Sequence, residues 1–537
     1  MANSRVRETH NKPRPGECGH GGALLAEVVR AAYADGQSDY SMEPLVRTDK
    51  DGKPLGPIED GDAVIFCCRR GEREIELTDA FTDPSFSWFE RKLLDNLDFV
   101  ILTLYHEKFK HLPIAFAPSR VSFTLAQMIS EAGMRQLHCA ESEKFAHVTF
   151  FFNGGNNRPF SGEDDVCIPS PKGVPFNQVT ALSLPAVADE VIKGLHAGYE
   201  FIVTNFANGD VIGHTPDCNA KIECVGHVDT HLSRVMEQAK AQGYVIAVTA
   251  DHGNLEEMLT DDGKPHVAHT TNLVPFILID PQMDHKIPLS DGSLCDIAPT
   301  VLQVLGISQP EEMTGVSLAG IHDFGKNRKM LLVILDGWGF GKRDHTDPIY
   351  LGRTPFWDDL TAKHPPAKLH ASGEAVGLQA GKAGNSEAGH INIGTGRVVM
   401  QDDVRLDQSM KDGSFETNEI FLRTIENVRK RGKALHLIAL LTKKSSHGSI
   451  DYPLALLKMA SDLPKKYVHI IFDGRSTEPG SAPSLLEELD GMIKEIGGDC
   501  QIVDGIGRGI ALDRDGNYGK IRKAYEAFVL GVGRQYS

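Results

Sequence analysis

The chain has 537 residues, enough for two domains, and its 41% hydrophobic and 24% charged content, with 53 glycines and 28 prolines, excludes collagen-like, coiled-coil and wholly disordered classes. A formal net charge of -17, from 56 basic against 73 acidic residues, argues against a nucleic-acid partner or an anionic membrane surface. An anionic ligand would therefore need a local basic pocket.

Residues 1–21 are polar, contain Pro and Gly and lack the apolar core of a secretory signal, so they read as a flexible tail. Nine cysteines at irregular spacing, among them the adjacent Cys67 and Cys68, form no disulfide framework and point to a reducing, cytoplasmic setting. The apolar run FVILTLY (99–105) comes first; FIVTNFANGD (201–210), VIAVTADHGN (245–254), LLVILDGWG (331–339), ALHLIALLT (434–442) and VHIIFDGRS (468–476) follow. None is long enough to span a bilayer. Amphipathic stretches at 184–198, 228–243 and 484–498 predict helices, and their alternation with short apolar runs predicts an α/β fold with parallel strands. Polar or glycine-rich joints are predicted near 154–174 and 318–329.

The polar residues just past these runs occupy the strand ends where open α/β sheets bind ligands. Asp210 and His214 lie four apart in NGDVIGHT, Asp251 and His252 follow VIAVTA, His269 opens HTTNLVP, and Asp336 ends LLVILD. Ser386 sits in GKAGNSEAGH. Spacing of i,i+4 puts two side chains on one side of a helical turn. Three carboxylates and three imidazoles suit two borderline cations such as Mn²⁺ or Zn²⁺. Such a pair clamps a phosphoryl group and activates a serine hydroxyl. Singly, each residue has an ordinary explanation, a strand-end Asp or a loop Ser capping the next helix. Their joint occurrence favours phosphoryl chemistry. A second set is basic: Arg70, Arg73, Lys144, Arg475, Arg508 and Arg514, several of them beside glycines, where a guanidinium can fork onto phosphate or carboxylate. The glycines at 505, 507 and 509 lack the helix and the later acidic residue of a dinucleotide site.

LLVILDGWG, GNSEAGHINIGTGRVV, NGDVIGHT, TADHGN and HTTNLVP resemble segments of the cofactor-independent (2,3-bisphosphoglycerate-independent) phosphoglycerate mutases of the alkaline phosphatase superfamily, and the similarity runs from about residue 22 to the C-terminus. The order of segments is rotated relative to that family. The family's finishing segment, up to about Leu318, here runs through AGIHDFGKNR into its starting segment, so the sequence resembles a circular permutant. The resemblance implies an alkaline-phosphatase-like three-layer α/β/α domain over 119–400, with a linker at 319–328. A smaller α/β transferase-like domain is then split between 22–118 and 401–537.

The same resemblance implies that Ser386 is the phosphorylated nucleophile, that Asp210, His214 and His269 hold one metal, and that Asp336, Asp251, His252 and Ser386 hold the other. His447, Arg475, Ser476, Arg508, Arg514, Arg70 and Arg73 would bind phosphoglycerate, and Lys144 would bridge toward the phosphate. The implied reaction interconverts 3-phosphoglycerate and 2-phosphoglycerate with two divalent ions, Mn²⁺ foremost and Zn²⁺ or Co²⁺ as alternatives, without 2,3-bisphosphoglycerate, in a cytoplasmic monomer. Its partner is a small molecule, neither nucleic acid nor membrane.

Three departures weaken the match on the transferase side. The family's SDGGVHSH is TKKSSHGS (442–449) here, its DGRDTPP is DGRSTEP with Ser476 where an acid is usual, and its FNFRxDR is CCRRGER with Cys68 and Glu72 substituted. A serine is no base near neutral pH without help. The alternatives are thus a metal-dependent phosphatase of the same superfamily or a non-catalytic homologue.

Overall fold

The computed structural model of the chain describes residues 20–69, 72–117, 121–283, 286–443, 445, 447–497 and 499–537. Arg70, most of the expected tail and most of the expected domain crossing at 118–121 lie outside the described residues. The chain divides into two compact units, a split one made of its first part to Pro118 together with Arg405–Ser537, and a contiguous one, Ser119–Val404. The second boundary falls four residues beyond the expected 400.

The split unit is built on an eight-stranded sheet. Its first piece supplies β1 (Leu45–Arg47), β2 (Ala63–Phe66), β3 (Asp98–Thr103) and β4 (Ile114–Phe116). The contiguous unit holds β5 (Gln136–Glu141), β6 (Glu163–Ile168), β7 (Phe201–Phe206), β8 (Val245–Thr249), β9 (Val274–Ile279), β10 (Gly292–Ser293), β11 (Met330–Leu335) and β12 (Ala367–His370). The second piece of the split unit adds β13 (Leu435–Leu441), β14 (Lys466–Phe472), β15 (Cys500–Gly507) and β16 (Arg534–Tyr536).

The split sheet runs β16-β1-β15-β14-β13-β2-β3-β4. Its two pieces interleave. β1 of the first piece lies between β15 and β16 of the second, and β2 pairs in parallel with β13, Ala63 opposite Leu435. Alternate side chains of one strand feed different cores: Ala63, Ile65 and Cys67 join the apolar cluster around the helices Gly22–Ala34 and Ala482–Ile496, while Val64 and Phe66 join that around Tyr518–Leu530. A period of two with apolar residues at every position buries both faces of the sheet. Of the glycines at 505, 507 and 509, the first two lie in β15 and the third inside a one-turn helix, Arg508–Ala511, where none was expected.

The contiguous sheet runs β10-β12-β9-β8-β11-β7-β5-β6. The neighbours from β8 through β6 are parallel, as the alternation predicts, but β9 runs antiparallel to both β8 and β12. A parallel return needs a crossover, usually a helix; the 250–273 connection contains none, so the chain returns antiparallel. The predicted joint at 154–174 contains strand β6, an edge strand whose acidic sequence EDDVCI disguises it. The helix expected at 228–243 starts earlier, at Cys218, where the Asp217 carboxylate accepts from the Asn219 and Ala220 amides. The 319–328 connection is anchored: Phe324 is buried, Gln303 Nε2 donates to the Gly320 and His322 carbonyls, and Arg328 pairs with Asp280. No helix among the described residues is long and apolar enough to cross a membrane.

Candidate active site

Strands β7, β11 and β8 are adjacent and parallel, so their carboxyl ends share one edge of the sheet. The short helix Asn208–Gly213 after β7 carries Asp210, the turn after β11 begins with Asp336, and Asp251 and His252 follow β8. The turn at Gly337 has φ 70°, and a Cβ there would lie 2.8 Å from the Asp210 amide nitrogen, so only glycine fits. Ser386 is the first residue of the helix Ser386–Thr395. Asn385, not Ser386, caps that helix by accepting from the Ala388 amide, which leaves the serine hydroxyl for other partners. Gly389 on the same helix abuts Asp251, where a Cβ would meet its carbonyl oxygen at 2.6 Å.

The structure brings all seven expected ligand and nucleophile residues together, in two neighbouring groups. In the first, His214 Nδ1 lies 2.9 Å from the Val267 carbonyl and His269 Nδ1 lies 2.7 Å from the Gly384 carbonyl, so both Nδ1 atoms donate. The two Nε2 atoms therefore carry lone pairs in neutral rings, yet they lie 3.0 Å apart and 3.1 and 3.0 Å from Asp210 Oδ1. Three electron-pair donors this close repel unless positive charge sits among them. Protonation is one remedy, and the hydrogen bond to Asp210 accordingly raises the His214 pKa. A divalent cation is the other, and the N₂O donor set suits one.

In the second group, Asp336, Asp251, His252 and Ser386 are all buried. Ser386 Oγ lies 2.7 Å from Lys144 Nζ, 3.0 Å from His252 Nε2 and 3.3 Å from Asp336 Oδ1. Lys144 spends its other two ammonium hydrogens on Asp210 Oδ2 at 2.7 Å and Asp336 Oδ1 at 2.9 Å. Burial alone would discharge this lysine, but the carboxylates of Asp336, Asp210 and Asp251 outweigh it and hold the ammonium charged well above neutral pH. His252 behaves alike: burial lowers its pKa, Asp251, Asp336 and Asp210 raise it, and the net is a value pushed up to about 10. The Asp251 and Asp210 carboxyls are held well below the ordinary range, against their own burial, by His252, His390 and Lys144 for the first and by Lys144, His214 and His269 for the second. Three carboxylates against one ammonium and one imidazolium leave a buried negative excess. Asp251 Oδ2 has no aligned hydrogen-bond donor, although His390 Nδ1 is 3.2 Å away. An uncompensated buried carboxylate oxygen and convergent donor atoms fit cation binding.

Several residues of this site escaped the sequence reading. Asn205, inside β7, donates from Nδ2 to Asp336 Oδ2 at 2.6 Å and to His390 Nε2 at 3.0 Å. His390 Nδ1 then faces the Ser386 carbonyl at 2.9 Å. Its i,i+4 spacing from Ser386 was the available signal. Asn254 Nδ2 donates to Asp210 Oδ1 at 2.8 Å. Glu256, fully buried, accepts from the Asn254 and Gly339 amides at 2.8 and 3.0 Å and from Asn272 Nδ2 at 2.9 Å, tying three ligand-bearing loops together.

Of the remaining expected residues, Arg73, His447, Arg475, Ser476, Arg508 and Arg514 follow β2, β13, β14 and β15 of the split unit. Arg508 is buried and donates from Nη1 to Asp473 Oδ1 at 2.6 Å, and Arg73 donates to the Leu512 carbonyl at 3.1 Å. These two guanidinium groups are thus partly committed to protein oxygens. Arg475, Ser476 and Arg514 are exposed on loops. Arg69, which the sequence reading passed over, is buried against Tyr452, Asp407 and the Ser445 carbonyl. Its amide donates to the His447 carbonyl at 3.0 Å, while Cys68 bridges Gly448.

Two family models match the chain. One, described as Metalloenzyme superfamily, matches residues 11–309; the other, described as BPG-independent PGAM N-terminus, matches residues 406–537. The 2,3-bisphosphoglycerate-independent phosphoglycerate mutase of Moorella thermoacetica is 46% identical over 302 residues, 56% of this chain and 58% of that protein. That of Thermosynechococcus vestitus is 43% identical over 54% of this chain and 55% of the relative. The chain thus spans a little over half the length of the curated relatives it matches. A solved structure of Leishmania mexicana phosphoglycerate mutase matches 50% of this chain and 53% of its own, with 29% identity and a TM-score of 0.40.

Proposed function

Since the chain belongs to the Metalloenzyme superfamily, whose model spans more than half of it, we propose that it interconverts 3-phosphoglycerate and 2-phosphoglycerate through a phosphoserine at Ser386. The observation that carries this reading is the setting of Ser386 Oγ. Lys144 Nζ lies at 2.7 Å, where its ammonium stabilises a developing alkoxide, and His252 Nε2 converges on the same oxygen from 3.0 Å. Asp336 Oδ1, 3.3 Å away, is placed to accept the hydroxyl proton. Burial of the serine keeps bulk water from the phosphoserine.

Asp210, His214 and His269 would hold one divalent ion, and Asp336, Asp251, His252 and Ser386 a second, with Mn²⁺ the expected metal. When bound, the pair would polarise the phosphoryl oxygens and lower the hydroxyl pKa of the serine. Asn205 and His390 keep Asp336 and Asp251 in register, and Glu256 fixes the loops that bear the ligands. Lys144 neutralises charge that would otherwise repel an incoming phosphate. His447, Arg475, Arg508, Arg514, Arg73 and Arg70 would retain the glycerate on the split unit, in a cytoplasmic monomer that needs no 2,3-bisphosphoglycerate.

The reading includes a rotated segment order. It is supported by the match of a model named for the mutase N-terminus to residues 406–537, at the C-terminal end of this chain. A second reading, a metal-dependent phosphatase, is favoured by one observation: Ser476 is exposed and offers no carboxylate to the glycerate hydroxyls.

One assay separates the two. The purified chain with Mn²⁺ is given 3-phosphoglycerate, and 2-phosphoglycerate and free phosphate are both followed. Isomer without phosphate is the expected result. Phosphate alone would replace the mutase reading with the hydrolase.

A further inference from the structure

Lys144, which makes the shortest contact to Ser386 Oγ, stands just ahead of an uncommon piece of backbone. Residues His147–Phe151 form a π-helical turn, and the Phe152 amide donates to the His147 carbonyl five residues back at 3.1 Å. Such wide turns are rare and occur most often at functional sites. This one begins on the lysine itself: the His147 amide donates to the Lys144 carbonyl at 3.1 Å.

The turn is tied to the β5–β6 strand pair at two points. His138 of β5 is fully buried with its Nδ1 2.7 Å from the Val148 carbonyl, and Asn153 Nδ2 donates to Glu163 Oε1 of β6 at 2.6 Å. Burial pushes the His138 pKa down to about 4, so the ring carries one proton. The carbonyl can only accept, and the other ring nitrogen faces Gln136 Oε1 at the longer distance of 3.2 Å, so the proton sits on Nδ1 and is donated to Val148. The turn also meets the helix that carries Ser386. Gly394 packs on the Phe152 carbonyl with no room for a Cβ, and the His147 ring lies 5.4 Å from that of His390.

We propose that His138 is a positioning residue for the reaction at Ser386, holding the Val148 carbonyl so that the turn stays wide and Lys144 reaches the serine. The inference rests on the reading of Ser386 as the nucleophile. Lys144 Nζ meets Asp210, Asp336 and Ser386 at 2.7, 2.9 and 2.7 Å, three oxygens at once, which leaves its backbone little tolerance. Released from His138, the turn is free to close to the commoner i to i+4 pattern. That closure draws the chain back at Lys144 and takes the ammonium away from the developing alkoxide, while the ligand-bearing loops stay in place.

The test compares wild type with His138→Asn and His138→Gln in the full chain. An Asn amide nitrogen falls near the place of Nδ1 and still donates to Val148, whereas a Gln amide nitrogen falls near that of Nε2 and does not. With Mn²⁺ and 3-phosphoglycerate, kcat should fall about tenfold in His138→Gln, as when a reacting group is slightly misplaced, with KM within about twofold. His138→Asn should recover most of kcat even though it melts lower, because it leaves the larger gap in the core. A purely structural role gives the opposite order, with activity following melting temperature and Gln above Asn. A second readout needs neither metal nor substrate. Acetylation of Lys144 by acetic anhydride, followed by mass spectrometry on the metal-free chain, should quicken about fivefold in His138→Gln as the ammonium is loosened, and stay near wild type in His138→Asn. Asn153→Ser, which frees the turn from Glu163 instead, should act like His138→Gln and replaces it if that variant does not fold. Equal kcat in the Asn and Gln variants, or activity that follows melting temperature, would overturn the proposal. If the wild type releases only phosphate, the mutase reading fails and the labelling still decides: the same Lys144 rate in wild type and His138→Gln refutes the positioning role.

Discussion

The contiguous and split units handle charge in opposite ways. Around Ser386 most polar atoms are buried and joined in one network, in which Lys144 alone spans Asp210, Asp336 and Ser386, and the oxygens left over, Asp251 Oδ2 among them, converge on the same cluster. In the split unit, Arg475 and Arg514 stand exposed on loops, and the buried Glu74 carboxylate has only a longer contact, 3.7 Å from Oε1 to His447 Nδ1. The first region is organised before any ligand arrives, and a mutation there breaks a network. The second offers separate groups whose value depends on what they meet, so its sequence can drift further at smaller cost. Preorganisation of this kind is where electrostatic catalysis gains most.

The sharpest way to break the comparison is Ser386→Ala. Both isomer and phosphate production should fall by at least about 10⁴-fold, as when a nucleophile is removed, with Mn²⁺ binding by calorimetry weakened by less than tenfold. Substantial residual turnover of 3-phosphoglycerate would contradict the assignment of the nucleophile.

Acid should act on the split unit through His436. Burial pushes this imidazole down to about 4, below its value of about 6.5 in an unfolded chain. The unfolded state therefore binds the extra proton first, so this stability is present above pH 6.5 and is lost as the pH falls toward 4. The full loss is about 3 kcal/mol. Scanning calorimetry of the transition insensitive to metal should show it; a midpoint constant from pH 7 to pH 4 would be incompatible with the buried neutral ring.

Metal should divide the units. Chelation of Mn²⁺ present at 100 times its dissociation constant should remove about 2.7 kcal/mol from the contiguous unit. That corresponds to a melting shift of about 5–10 °C. The split unit should melt unchanged, and a shift of both transitions by equal amounts would erase the distinction.

The smallest effect expected is at Ser476. Ser476→Asp should raise the isomerisation rate about tenfold if a lost acid limits the reaction. An unchanged rate would mean that another group has taken over that role.

Much of this was legible before the structure. Apolar runs such as Met330–Leu335 became fully buried central strands, and the polar residues following them met at one sheet edge. The reading failed where polarity and burial part company. Glu163–Ile168 is a strand despite its acidic run, because an edge position leaves part of it in water. The amphipathic pattern of Cys218–Ala241 is interrupted by Lys221, buried with its ammonium on the His266 carbonyl, so the helix start was missed. Asn205 sits inside an apolar strand and His390 inside the nucleophile helix, and nothing in a one-dimensional pattern tells a buried amide with partners from an exposed one. Glu74 was overlooked for the same reason, as one acid in a charged stretch.

The contact between Gly389 and the Asp251 backbone has a mechanical side. A Cβ at 389 would lie 2.7 Å from Asp251 Cβ as well as 2.6 Å from its carbonyl oxygen, so helix and strand end meet with no side chain between them to flex. The nucleophile, three residues earlier on the same rigid turn, cannot move toward or away from the cluster unless that aspartate moves too. Displacement of either is felt by the other as a shared coordinate, so substitutions that reshape this helix should retune metal affinity and serine reactivity in step.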